Sequence, residues 1–84
     1  MYKVEFKKQA FKFIQNLDKK TQDKLEKIFN SLSENPFSMP YKKIVGFDNM
    51  YRIRVGEYRI LYTINNGELL IEVIKIANRE NFYN

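Results

Sequence analysis

The stretch YRIRVGEYRILY, residues 51–62, reads almost the same in both directions about Gly56-Glu57, and it holds three arginines within eight positions. Two β-favouring runs around such a centre predict a hairpin that pairs Val55 with Tyr58, Arg54 with Arg59, Ile53 with Ile60, Arg52 with Leu61 and Tyr51 with Tyr62. Strand side chains alternate, so Tyr51, Ile53, Val55, Tyr58, Ile60 and Tyr62 share an apolar face. Arg52, Arg54, Arg59 and Leu61 share the other. Arg54 and Arg59 then oppose each other directly, and like charges in that position destabilise a strand pair by roughly 0.2–1 kcal/mol. The pair makes sense on a face that holds something anionic; the plain alternative is a solvated basic sheet face.

Working outward, Asn66-Gly67 is the strongest short turn signal in the chain and predicts a second hairpin, residues 58–65 against 68–75. That register puts Leu69, Ile71 and Val73 behind the apolar face. It leaves Leu61, Leu70, Ile74 and Ile76 near the arginines unless a bulge shifts them, and an apolar patch beside a basic one suits a protein partner. Upstream, KIVGF (43–47) reads as a short strand entering the hairpin through Asp48-Asn49, and FSMPYKK before it as a loop.

The N-terminal half is helical after a first strand, YKVEF (2–6). Ala10, Phe13, Ile14 and Leu17 keep helical spacing from about Lys8 to Leu17, with Phe11 widening the stripe and no good N-cap. Asp18 ends that helix or caps the next. Leu25, Ile28, Phe29 and Leu32 repeat the spacing from Lys19 to about Asn35, where Pro36 stops it. Lys20, Lys24 and Lys27 can pair with Asp23 and Glu26 on the wet side. The expected fold is α+β: an N-terminal strand and a two-helix hairpin packed on one face of an antiparallel sheet, the other face open.

The 84 residues, 44% hydrophobic and 15% aromatic, fit one small domain, residues 1–84. Folding removes about 60–65% of its unfolded surface from water, so a bound partner adds substantially to its stability. The absence of Cys and His excludes disulfides, zinc-finger spacing, thiol nucleophiles and histidine general bases. No signal peptide or spanning segment is encoded, which points to a cytoplasmic protein without membrane contact. Net charge is +5 with 15 Lys and Arg, which favours polyanionic partners. All four arginines, Arg52, Arg54, Arg59 and Arg79, lie in the C-terminal half, while eight of the eleven lysines precede residue 28. Guanidinium holds phosphate through two parallel hydrogen bonds and stays charged at any working pH, so the arginines carry more weight than the total.

In the tail ANRENFYN, Arg79 and Tyr83 are four apart and fall on one side if the tail makes a helical turn; otherwise Tyr83 fills an edge of the core. Tyr83 and Tyr41 are the tyrosines off the core face that remain for base stacking. No P-loop, dinucleotide loop, paired carboxylates or metal-ligand spacing occurs, so no cofactor or metal is expected. An arginine cluster with a tyrosine fits cleavage of RNA, which carries its own nucleophile, the 2′-OH. The protein need only align that oxygen and neutralise the charge developing on phosphate. Arginine cannot accept the proton, which leaves Tyr83 and Glu80 as the nearby groups for that step.

YRIRVGEYRILY followed by NNGELLIEVIKIANRENFY, with VEFKKQAFKFIQNLDKKTQDKL and KKIVGFDNM before it, resembles the RelE/ParE superfamily of type II toxins over nearly the whole chain, the RelE branch most closely. The resemblance implies a ribosome-dependent mRNA endonuclease (mRNA interferase) that inhibits translation, needs no metal, and is held inactive by a RelB-like antitoxin protein wrapped around it. It implies Arg52 and Arg54 as RNA-binding residues, with Arg59, Arg79 and Tyr83 as catalytic ones. It also admits a ParE-like, non-catalytic inhibitor of DNA gyrase. Arg52 and Arg54 stand where the bacterial prototype has lysines, and Asn78 stands where several relatives have histidine.

Overall fold

The computed structural model describes residues 1–81. Its elements are β1 (Lys3–Phe6), α1 (Lys8–Gln15), α2 (Lys19–Glu34), β2 (Tyr41–Lys43), β3 (Met50–Val55), β4 (Tyr58–Asn65) and β5 (Leu70–Asn78), followed by a 3-10 turn at Arg79–Asn81.

The central hairpin has the register expected from its symmetry, from Val55 opposite Tyr58 to Tyr51 opposite Tyr62. Gly56 supplies the positive φ of 57° at its turn, a conformation glycine adopts without steric penalty. Five strands form one sheet in the order β1-β5-β4-β3-β2. The sheet is mixed, not wholly antiparallel, because β1 runs parallel to β5. Two helices carry the chain from one sheet edge to the other, which places the first strand beside the last.

Helix α1 starts at Lys7 without a side-chain cap and buries Ala10. Phe11 does not widen its buried stripe; the ring is 53% exposed. Helix α2 has a cap. Asp18 accepts hydrogen bonds from the Thr21 N–H at 3.2 Å and the Thr21 hydroxyl at 2.6 Å, and these hold its carboxyl below the usual carboxylate range. The ion pair on its wet side joins Lys19 to Asp23 at 2.8 Å, one position earlier than the lysines expected to serve. The core joins Ala10, Leu25, Phe29 and Leu32 to Ile53, Ile60, Tyr62, Ile64, Ile71 and Val73 from the sheet. Helical spacing on one side and strand alternation on the other bring these residues to a single layer.

Three local departures from expectation have identifiable causes. The strand expected at residues 43–47 lies earlier, at Tyr41–Lys43. Gly46 turns to a φ of 92°, and Ile44 N–H donates back to the Met50 carbonyl at 2.9 Å, so residues 44–49 close a loop and leave Val45 95% exposed.

The second hairpin pairs Asn65 with Leu70, not with Glu68. The Asn65 side chain accepts the Glu68 N–H at 3.0 Å, which lengthens the turn to residues 66–69 and puts Leu69 at a φ of 52°. Leu69 is therefore 47% exposed instead of in the core. A shift of two residues keeps the faces, so Ile71 and Val73 are buried as expected.

The third departure reverses the faces. Leu61 pairs with Lys75 and Tyr62 with Val73, so Ile74 is an extra residue, a β-bulge. Beyond it Ile76 turns into the core with no exposure, and Lys75 takes the open face. This corrects the expected apolar patch, which loses Ile76. The bulge lies where β1 has ended and no longer pairs with β5. Gln9 of α1 takes over there: its Nε2 donates to the Ile76 carbonyl at 2.9 Å and its Oε1 accepts the Ile76 N–H at 3.0 Å. One amide thus satisfies both backbone groups of Ile76 that a continued β1 would have met.

Candidate nucleic-acid interface

The open face of the sheet takes its chemistry from strand parity. Arg52 and Arg54 alternate with core residues Ile53 and Val55 on β3, and Arg59 alternates with Ile60 on β4. Arg54 and Arg59 are direct cross-strand partners, and Arg59 continues to Ala77 on β5. With Pro40, Tyr41 and Lys42 the three arginines line one open hollow of about 440 Å³.

Arg59 differs from Arg54 in the burial of its guanidinium stem. Its stem lies between strands in the middle of the sheet, and its Nε is buried without a hydrogen-bond partner. Among the described residues the ion pairs are Lys3–Glu5, Lys7–Glu72 and Lys19–Asp23, and none includes Arg54 or Arg59. A stranded guanidinium N–H beside an opposed arginine is an unfavourable arrangement in the free protein. An anion with several acceptor oxygens removes both penalties at once, because phosphate accepts from two guanidinium groups and screens one from the other.

The structure gathers Arg52, Arg54 and Arg59, but Arg79 lines a neighbouring hollow with Gly56, Glu57, Asn78 and Glu80. Arg79 N–H donates to the Glu57 carbonyl at 2.7 Å, so the tail is tied to the turn that carries Arg54 and Arg59 on its two arms. Tyr83 lies outside the described residues. Tyr41 is 46% exposed and belongs to a ring cluster, with centroids 4.9 Å from Phe37 and 5.5 Å from Tyr51. Behind it the buried Tyr62 hydroxyl donates to the Pro36 carbonyl at 3.1 Å. Burial pushes that phenol up to about 12, so it is a neutral structural donor.

Sequence reading missed Lys42. It stands opposite Arg52 on β2, in a segment read as loop because Pro40 precedes it and the strand was expected two residues later. Pairing of Tyr41–Lys43 with Tyr51–Ile53 is a nonlocal contact; the sequence signal that could have found it is the register of the Arg52 strand extended to its other edge.

Two helices on one face of a mixed sheet, with clustered arginines on the other, define an α+β domain with a cationic open face. The model of the ParE toxin family of type II toxin-antitoxin systems, parDE, matches residues 2–83, and the chain belongs to that family, a type II toxin of the RelE/ParE superfamily. A RelE-like toxin protein of Escherichia coli is 32% identical over 94% of this chain and 84% of that protein. The archaeal RelE–RelB complex of Pyrococcus horikoshii contains a chain 27% identical, with a TM-score of 0.78 over 95% of this chain and 97% of that one. The isolated RelE toxin of Escherichia coli shares the fold at a TM-score of 0.79 and 22% identity, over 93% of this chain and 84% of that one. Among the described residues no helix is long and apolar enough to cross a membrane.

Proposed function

We propose that this toxin is a ribosome-dependent mRNA endonuclease of the RelE kind, acting in the cytoplasm and restrained by a RelB-like antitoxin. The observation that carries the reading is the stranded Nε of Arg59, buried beside Arg54 in a hollow lined by three arginines. The relatives named RelE, and the RelE chain found with RelB, support the same reading. In this mechanism Arg52 and Arg54 grip the RNA backbone. The 2′-hydroxyl gives its proton to water as its oxygen attacks the adjacent phosphorus, the bond to the 5′-oxygen breaks and that oxygen takes a proton from water, and Arg59 neutralises the charge that grows on the equatorial oxygens. Arg79, tied to the Glu57 turn, adds its charge from the neighbouring hollow, and Tyr83 orients or stacks the substrate. The chemistry asks for no cofactor or metal.

Primer extension on ribosome-bound mRNA tests this: cuts at defined codon positions are expected from the wild type. Arg59→Ala and Arg79→Ala are each expected to relieve growth arrest in cells lacking the antitoxin, and full toxicity of both variants rejects the assignment. Because the matching family model is that of ParE, gyrase inhibition is the second reading. Gyrase-linked DNA breaks with intact mRNA would establish it instead.

A further inference from the structure

The arginine hollow occupies part of the open face, and the strand register carries a line of cations across four of the five strands. Lys42 on β2 stands opposite Arg52 on β3, Arg52 opposite Leu61 on β4, and Leu61 opposite Lys75 on β5. Lys75 reaches this face only because the bulge at Ile74 reverses the parity of β5. Strands lie about 4.8 Å apart, so the line spans roughly 14 Å from Lys42 to Lys75. The Arg54–Arg59 pair lies two residues further along the strands, roughly 7 Å to one side. One phosphate group is too small to touch Lys42, Arg52 and Lys75 together. A chain of phosphates crossing the strands meets all three in turn, and half-buried Leu61, between Arg52 and Lys75, offers an apolar seat to the face of a base. Lysine at the two ends supplies compact point charges, suited to backbone phosphates.

Resting on the RNA-cutting reading, we propose that single-stranded RNA crosses the sheet from β2 to β5, with Lys42 and Lys75 as positioning residues that hold backbone phosphates on either side of Arg52. The direction sets the scissile phosphate beside this line, at Arg54 and Arg59.

The test is binding of a fluorescein-labelled single-stranded RNA, 2′-O-methylated throughout so that it cannot be cut, followed by anisotropy over a range of salt concentrations. Each phosphate contact contributes about 0.7 to the slope of log affinity against log salt for a single strand. Lys42→Gln and Lys75→Gln are each expected to lower the slope by about that amount, Lys42→Arg and Lys75→Arg to restore it, and Lys27→Gln on α2 to leave it unchanged. An unchanged slope in either glutamine variant overturns the proposal, and so does an absence of binding by the wild type. Primer extension separates the two ideas. Cut mRNA with lysine-insensitive slopes rejects this line alone, whereas lysine-dependent slopes with intact mRNA reject the cutting and keep the line.

Discussion

Replacing Arg59 by methionine is expected to make the protein more stable while removing its activity. Methionine keeps an unbranched stem of similar reach in the middle of the sheet and carries neither charge nor N–H donor. Two penalties disappear. The buried Nε without a partner corresponds to a stranded donor, worth about 1–3 kcal/mol. The opposition of Arg54 and Arg59 adds roughly 0.2–1 kcal/mol. Part of the guanidinium reaches water, so the lower end of the sum applies, about 1–2 kcal/mol. In a domain of this size each kcal/mol raises Tm by roughly 4–8 °C. Urea unfolding of Arg59→Met beside the wild type measures the difference as a higher midpoint at unchanged slope. In the same variant cutting of ribosome-bound mRNA is expected to fall by about 100- to 1000-fold, the usual consequence of losing one oriented donor to a developing oxyanion. Raising the salt concentration should shrink the part of the gain that comes from charge repulsion. A methionine variant less stable than the wild type refutes the reasoning, since Arg59 would then be stabilising the free sheet.

Other substitutions probe the supports around the site. Gln9→Ala leaves the N–H and carbonyl of Ile76 without partners at the bulge, and a loss of about 1–2 kcal/mol in urea is expected, with faster hydrogen exchange at Ile76. Tyr62 ionises near 12 in the folded chain and near 10 when unfolded. Its contribution is thus fully present below about pH 10 and is lost as pH rises through 12, at most about 2–3 kcal/mol. Tyr62→Phe should lose that part of the alkaline sensitivity, and should cost about 1 kcal/mol at neutral pH through the Pro36 carbonyl left unpaired. Leu69→Gly, at a φ of 52°, is expected to gain a few tenths to about 1 kcal/mol by thermal unfolding. Relief of the left-handed strain exceeds the added freedom of the unfolded chain there.

The elements set by local patterns were legible in the residues. Helical spacing gave α1 and α2, Asp18 capped the second helix, and the symmetry of YRIRVGEYRILY fixed the central register, hence Arg52, Arg54 and Arg59 on one face. The candidate site was less complete. Lys42 was missed because β2 forms only by pairing with a strand eight or more residues away, and Lys75 was missed because the bulge at Ile74 leaves no mark in an alternating run.

What the sequence determined by itself was side-chain parity within each strand and helix, since backbone geometry imposes a period of 2.0 or 3.6 without reference to anything distant. Tertiary structure alone decided which parity survived. The bulge lies beyond the end of β1, where Gln9 meets Ile76; it sends Ile76 into the core and Lys75 to the open face, and that one reversal determines which cations line the surface. The hydrogen bonds that satisfy Ile76 there join residues 67 positions apart, which no local pattern encodes.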